Sequence, residues 1–234
     1  MRVVRGSTPD VDRDRRITAS IADLAADTTE PVLRVWTPPK QLAFGRRDAT
    51  TAGYDRARRI AVESGYEPIE RSVGGSAVAY TGHTVAFGYA EPTDGRGGID
   101  RRYRRTTATL VDALSETGAT VSPGEPDRSF CPGRHSVQGT GKIAGIAQRV
   151  KRDSALVGGC VIVLRSDSAA IADVLTPVYD AIDRPFDPES VGSVESAGGV
   201  GGVDAARDAI ESAFVGDREP TVLPATDLLD SGAP

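Results

Sequence analysis

Apolar positions along the chain alternate between helical and extended spacing. Ile17, Ile21, Leu24 and Ala25 recur on one face and predict an amphipathic helix over residues 17–28. Residues 31–36 alternate apolar and polar side chains as a strand does, and a second strand is expected at 41–45, after the break at Pro38-Pro39. Residues 51–64 read as a helix stopped by Gly65. Two further strands, 66–71 and 76–80, flank a glycine pair, with another at 84–89. The longest helical stretch spans 100–117, with Asp100 as its N-cap and Gly118 as its terminator.

Beyond it, residues 142–150 and 155–164 read as paired strands across the polar turn Lys151-Arg152-Asp153-Ser154, followed by helices at 168–182 and 203–214. The Gly- and Ser-rich segment 192–202 is expected to be a flexible loop or hinge. The tail from about 216, with Pro220, Pro224 and Pro234, is expected to be extended or frayed. Strands occur in adjacent runs rather than strict β-α-β units. That order favours the α+β class, a mixed β-sheet flanked by helices.

Composition narrows the possibilities. Aromatics are few while Ala, Val and Gly abound, so the core should be built from small aliphatic groups. No apolar run approaches the roughly 20 residues that span a bilayer, and Met1-Arg2-Val3-Val4-Arg5-Gly6 lacks the apolar region of a signal peptide. A soluble, cytoplasmic protein without membrane association is expected. The net charge of −5 argues against nucleic acid as a partner. Two cysteines are too few for a disulfide scaffold and fit a reducing compartment.

The candidate chemistry centres on Cys131 and Lys142. Cys160 lies within an apolar run and reads as a small buried hydrophobe, whereas Cys131 sits in the turn Ser129-Phe130-Cys131-Pro132-Gly133, where a loop can expose it. A thiol beside a cation is favoured as thiolate, the form that attacks a carbonyl carbon. The chain has only three lysines, Lys40, Lys142 and Lys151, and elsewhere uses arginine, so Lys142 is a candidate for a specific chemical task. Its alternative is a surface strand lysine paired with a carboxylate.

Two glycine-rich segments add to this. Arg71-Ser72-Val73-Gly74-Gly75-Ser76-Ala77-Val78 can bring backbone N–H groups close to a ligand, or form a tight turn with none. Gly139-Thr140-Gly141-Lys142-Ile143 fails as a P-loop, with Ser136 and Ile143 at the decisive positions. Cys131 and His135 have half-site spacing for a metal, but no second half accompanies them, so no metal site is assigned. His135 is a solvent-facing loop residue or an aid to Cys131. The arginines of 101–105 form a solvated face or a landing patch for an acidic protein.

Together the two segments resemble the biotin/lipoate A/B protein ligase family, in its lipoate-protein ligase and octanoyltransferase branch. The matching residues are Arg71, Gly74, Gly75, Ala77 and Val78, then Gly141, Lys142, Ile143, Gly145, Ala147, Gln148 and Arg149. Leu33-Arg34-Val35-Trp36 and Phe44-Gly45-Arg46 are similar to the early strands of that family. The resemblance implies the biotin/lipoate ligase catalytic-domain fold, class II synthetase-like, as a single domain over residues 1–234 with no accessory domain.

Within the family, the Cys131 loop resembles that of the octanoyl amidotransferases, and the Arg-Asn-Asp tripeptide of ATP-dependent ligases is absent. The implied reaction passes an octanoyl or lipoyl group from its donor through acyl-Cys131 to a lysine of a lipoyl domain. The partners would be lipoyl domains of 2-oxoacid dehydrogenases and the glycine cleavage H protein, and no cofactor would be required. Lys142 would hold the acyl carbonyl and the thiolate, with backbone N–H groups near Gly74, Gly75 and Gly145 as oxyanion donors. Val78, Tyr80 and Ile143 are candidate walls for the acyl chain. The alternatives are an ATP- and Mg-dependent ligase acting through an acyl-adenylate, and a catalytically silent protein that binds lipoyl domains. The chain departs from the family at Tyr80-Thr81, where a histidine-aspartate pair is common.

Overall fold

The computed structural model describes residues 1–71, 75–95 and 97–230. The chain opens with β1 (Arg2–Arg5), α1 (Val11–Thr28), β2 (Val32–Trp36) and β3 (Gln41–Phe44). Next come α2 (Tyr54–Glu63), β4 (Glu67–Glu70), β5 (Val78–Tyr80), β6 (Val85–Pro92) and α3 (Ile99–Glu116). There follow β7 (Ser122–Pro123), β8 (Ser136–Gln138), β9 (Lys142–Val150), β10 (Ser154–Val161) and α4 (Arg165–Ala181). The last elements are α5 (Gly202–Val215), β11 (Thr221–Pro224) and α6 (Asp227–Asp230).

The large sheet has the order β11-β1-β2-β6-β10-β9-β8-β7, and a small sheet has the order β4-β3-β5. Parallel pairing joins β11, β1 and β2, while the remaining pairs of the large sheet are antiparallel. In the small sheet β3 runs parallel to β4 and antiparallel to β5. This is the expected α+β arrangement, a mixed sheet flanked by helices.

Apolar burial on both faces of the large sheet fixes the layers. Ile17, Ile21 and Ala25 of α1 pack with Val4, Val32 and Ala90 on one face. On the other, Leu110 and Leu114 of α3 and Ile210 and Phe214 of α5 close over Leu33, Val35, Phe87 and Tyr89. A third cluster joins α2 and α4 to the small sheet through Leu42, Phe44, Ala57, Val78, Val174 and Tyr179, and includes Phe130 and Cys160. Each large apolar side chain buried this way contributes ~1.5–3 kcal/mol. No helix among the described residues is long and apolar enough to cross a membrane.

Local pattern and structure part company at five places. The first helix begins at Val11 rather than at residue 17, capped by the Asp10 carboxylate, which accepts the Arg13 N–H at 2.8 Å. Five charged residues in a row, 12–16, hide these turns from a hydrophobic count. Arg34, which looks like the solvent-facing position of an alternating strand, is fully buried. It bonds Asp14 at 2.5 Å, and Asp14 also accepts the Trp36 indole N–H at 2.8 Å, so the charge is paired where α1 crosses β2.

The remaining three differences lie at a loop, the tail and a helix start. Segment 192–202 is tied down rather than hinge-like: the Val194 N–H donates to the Ile162 carbonyl, Glu195 to Val163 and Val200 to Thr117. The tail expected to fray after about 216 instead adds β11 to the edge of the large sheet beside β1. At the start of α3, Gly98 (φ +74°) precedes Ile99, so Asp100 sits in the first turn rather than at the cap, where a carboxylate still suits the helix dipole.

Candidate active site

Between β7 and β8 the chain forms a loop anchored by the buried side chain of Phe130, and Cys131 follows it with φ +41°, in the left-handed region. A non-glycine residue held there is strained, and such conformations persist only where surrounding contacts impose them. One such contact comes from α4. The Cys131 N–H donates to the Tyr179 hydroxyl at 2.6 Å, and that hydroxyl donates onward to the Ala77 carbonyl at 2.9 Å. Burial, with the nearby charge of Cys131, pushes the Tyr179 phenol well above its ordinary pKa and keeps it a neutral donor. Cys131 itself remains partly exposed above the small-sheet cluster.

Arg71, at the end of β4, reaches the same point. Its Nη2 stands 3.1 Å from Cys131 Sγ, and the same nitrogen donates to the Ser76 carbonyl. Burial opposes the guanidinium charge, and the charges of Cys131 and Tyr80 outweigh it, so the net effect raises the Arg71 pKa. Gly75 (φ +99°) makes the approach possible: a Cβ there would lie 2.7 Å from both Cys131 Sγ and Arg71 Nη2. Gly45 is required for a similar reason, because its Cβ would fall 1.8 Å from the Gly75 carbonyl oxygen. The buried Asp48 carboxylate fixes that glycine by accepting its N–H at 2.9 Å. Gly74 lies outside the described residues.

Lys142 opens β9 and is fully buried. Its ammonium donates to the Phe130 carbonyl at 2.8 Å, the Cys131 carbonyl at 2.9 Å and Glu125 Oε2 at 3.2 Å. The expectation that it contacts the thiolate is therefore revised. Lys142 braces the backbone that carries the sulfur, and the cation on the sulfur is Arg71. Glu125 gathers the rest of the loop, accepting from the Ser129 hydroxyl (2.8 Å), the Gly133 N–H (3.0 Å) and the Ser136 hydroxyl (2.6 Å). Burial alone would raise the Glu125 pKa. The Ser136 bond, the Lys142 charge and the Gly133 and Ser129 bonds outweigh it and hold the carboxyl below its ordinary value.

The other expected site residues divide into two sets. Ala77 and Val78 are buried in the cluster beneath Cys131, and Gly145 stands near Lys142, whose Cε would be 3.5 Å from a Cβ there. Gly141 packs its backbone against Gly192, which seats the start of β9. Ile143 instead points into the opposite core with Leu110 and Val194, and Ala147 is exposed farther along β9, paired with Gly158. Neither is brought to the sulfur. His135 stacks on Tyr103, centroids 3.8 Å apart and planes at 7°. Burial pushes the Cys160 thiol up to about 11, in keeping with an inert core position.

Glu125, Tyr179 and Asp48 escaped the sequence reading. Glu125 lies in no motif, Tyr179 has the helical spacing of a core aromatic, and Asp48 follows two arginines as any surface acid would.

The chain belongs to the lipoyl protein ligase A/B catalytic domain family, which matches residues 14–214. It is 30% identical over 160 residues to an octanoyl-[GcvH]:protein N-octanoyltransferase of Exiguobacterium sp. (strain AT1b), covering 67% of this chain and 57% of that relative. The enzyme of the same name from Geobacillus kaustophilus is 27% identical over 159 residues, 67% of this chain and 56% of that one. The chain thus spans little more than half the length of these curated relatives.

Among solved structures, a lipoate-protein ligase A bound with ATP superposes with a TM-score of 0.76 at 19% identity, over 98% of this chain and 92% of that one. The bipartite lipoate protein ligase of Thermoplasma acidophilum, studied with its E2 lipoyl domain, gives 0.70 at 16% identity, over 98% and 90%. At these identities the likeness is one of fold.

Proposed function

We propose that this chain transfers an octanoyl or lipoyl group to a lysine of a lipoyl domain through a thioester on Cys131. The observation that carries this reading is the Arg71 guanidinium at 3.1 Å from Cys131 Sγ, a cation placed on a partly exposed sulfur whose backbone is held in a strained turn. The sulfur attacks the donor carbonyl carbon, the donor's leaving group departs with a proton, and the acyl group rests on Cys131. The acceptor lysine amine then attacks the thioester. An amide forms, the C–S bond breaks, and the proton lost by the amine returns to the sulfur.

Arg71 balances charge on the sulfur in both steps, and Lys142 with Glu125 keeps the loop from shifting. Ala77, Val78 and Tyr80 supply apolar wall for the acyl chain. The curated relatives bear the octanoyl-[GcvH]:protein N-octanoyltransferase name, which supports an octanoyl donor carried on the glycine cleavage H protein and a protein acceptor; the acceptors of this reading are the lipoyl domains of 2-oxoacid dehydrogenases. Two free cysteines fit a reducing cytoplasm.

The likeness to an ATP-bound ligase raises a second reading, with ATP and Mg forming an acyl-adenylate. Lys142 does not fit that group: its three N–H bonds are committed to Phe130, Cys131 and Glu125, which leaves none for a phosphate.

The test is incubation with an apo lipoyl domain and each acyl donor, with and without ATP, read by intact mass. An ATP-independent acyl adduct on the protein that vanishes in Cys131→Ser supports transfer. Unchanged lipoyl-domain modification by Cys131→Ser, or strict dependence on ATP, defeats it. Absence of any modification favours a silent binding protein.

A further inference from the structure

We infer that the exposed arginines around the Tyr103–His135 stack form the docking surface for an acidic protein face surrounding the acceptor lysine; this rests on the acyl-transfer reading above. The stack ties α3 directly to the loop of Cys131, four residues before His135. On that loop Arg134 is exposed, and on α3 Arg101 and Arg104 share the outward face at a spacing of three.

The neighbouring arginines of the same helix are already used. Arg102 is buried with its Nε on Gln148 Oε1 at 2.5 Å, and Arg105 pairs with Glu91 Oε2 at 2.5 Å. Among the described residues Arg101, Arg104 and Arg134 take part in no ion pair, a state they share with other exposed arginines such as Arg13 and Arg59; what sets them apart is that they flank the Tyr103–His135 stack. One carboxylate, Asp100, shares the patch, close enough to act on His135.

The sign of the patch sets the partner. With a net charge of −5, the protein as a whole repels an acidic partner, and the patch reverses that locally, on the helix stacked against the loop that carries Cys131. An acceptor lysine approaching as an ammonium finds like charge at Arg71. Recognition must therefore fall on carboxylates flanking the lysine, and the arginine patch supplies their counter-charges at the required place.

The test is charge reversal with the two half-reactions kept apart. Wild type and the double variant Arg101→Glu/Arg104→Glu are first charged from a small octanoyl thioester, with adduct formation followed by intact mass. An apo lipoyl domain is then titrated in at low and at high ionic strength. The expected result is equal adduct formation and an unchanged melting temperature. KM for the domain rises about tenfold at low salt with kcat within about twofold, and the difference shrinks in high salt.

A control reversal on the exposed face of α1, Arg13→Glu/Arg16→Glu, makes the same change in net charge and should leave KM unaltered. Equal KM in wild type and the α3 variant overturns the inference, as does an equal rise in the control. If the wild type forms no adduct, the transfer reading has failed instead, and calorimetric titration of the uncharged protein with the domain decides the patch. Weakened binding in the α3 variant alone supports it, and any other result, including no binding by the wild type, overturns it.

Discussion

The Arg71 guanidinium and the Cys131 sulfur, sixty residues apart in sequence, meet at 3.1 Å in the folded chain. Charge-assisted hydrogen bonds contribute about 1.5–3 kcal/mol, which corresponds to roughly one to two powers of ten in rate. Arg71→Ala should therefore slow acylation of Cys131 by about ten- to a hundredfold. Arg71→Lys restores the charge without the planar fork that also reaches Ser76, and should fall between. Burst-phase acylation at fixed pH measures both. Rates equal to wild type in the alanine variant would show that the contact does not act on the sulfur.

Glu125 makes a different prediction, because it titrates. Its carboxyl is held below the ordinary glutamate value in the fold by its donors, so it contributes stability that is fully present above the unfolded glutamate pKa. That contribution is lost as pH falls through the lower, folded value. Glu125→Gln leaves the buried Lys142 ammonium without its counter-charge and should cost about 2–3 kcal/mol at neutral pH. Urea midpoints of variant and wild type should converge as pH drops into the acid range. Parallel curves across that range would refute the role given to the carboxylate.

A methyl group at position 75 tests the close approach of backbone to thiol. The added Cβ would stand 2.7 Å from Cys131 Sγ and from Arg71 Nη2, on a backbone at φ +99°. Strain of this kind costs about 1–3 kcal/mol, and the sulfur or the guanidinium has to move. Gly75→Ala should lose more than about tenfold in acylation. Gly145→Ala is the matched control: its nearest neighbour would be Lys142 Cε at 3.5 Å, ordinary contact, and activity within about twofold is expected. Similar behaviour of the two variants would mean that the Gly75 contact is not specific.

What the sequence disclosed follows the range of the interactions concerned. The β9–β10 hairpin and helices α3, α4 and α5 were legible because their apolar periods repeat over eight or more residues within one segment. The first turns of α1 were not. Asp14 is buried there only because Arg34 and Trp36 arrive from β2 to satisfy it, and no local pattern carries that pairing. The tail became β11 for the same reason, through register with β1 at the far end of the chain.

At the site, Cys131, Lys142 and Arg71 stood out by residue type and motif. Their division of labour did not, since only the fold sets Arg71 against the sulfur and Lys142 against the Cys131 carbonyl. Glu125 is one of 33 acidic residues, and only the folded loop distinguishes it.

Tyr179 links that loop to α4, and its hydroxyl is both acceptor for the Cys131 N–H and donor to the Ala77 carbonyl. Tyr179→Phe keeps the ring packed against Phe186 but leaves two backbone groups without partners, at about 1–3 kcal/mol each where water cannot reach them. The strained φ at Cys131 loses one of its constraints at the same time. The variant should melt lower and, at a temperature where it is still folded, form the acyl adduct more slowly. It should also show faster amide exchange at Cys131 and Pro-flanked neighbours such as Gly133, while exchange in α1 stays as in wild type. Unchanged exchange at Cys131 would mean that the loop holds its geometry without the tyrosine, through braces such as Lys142, Glu125 and the buried Phe130.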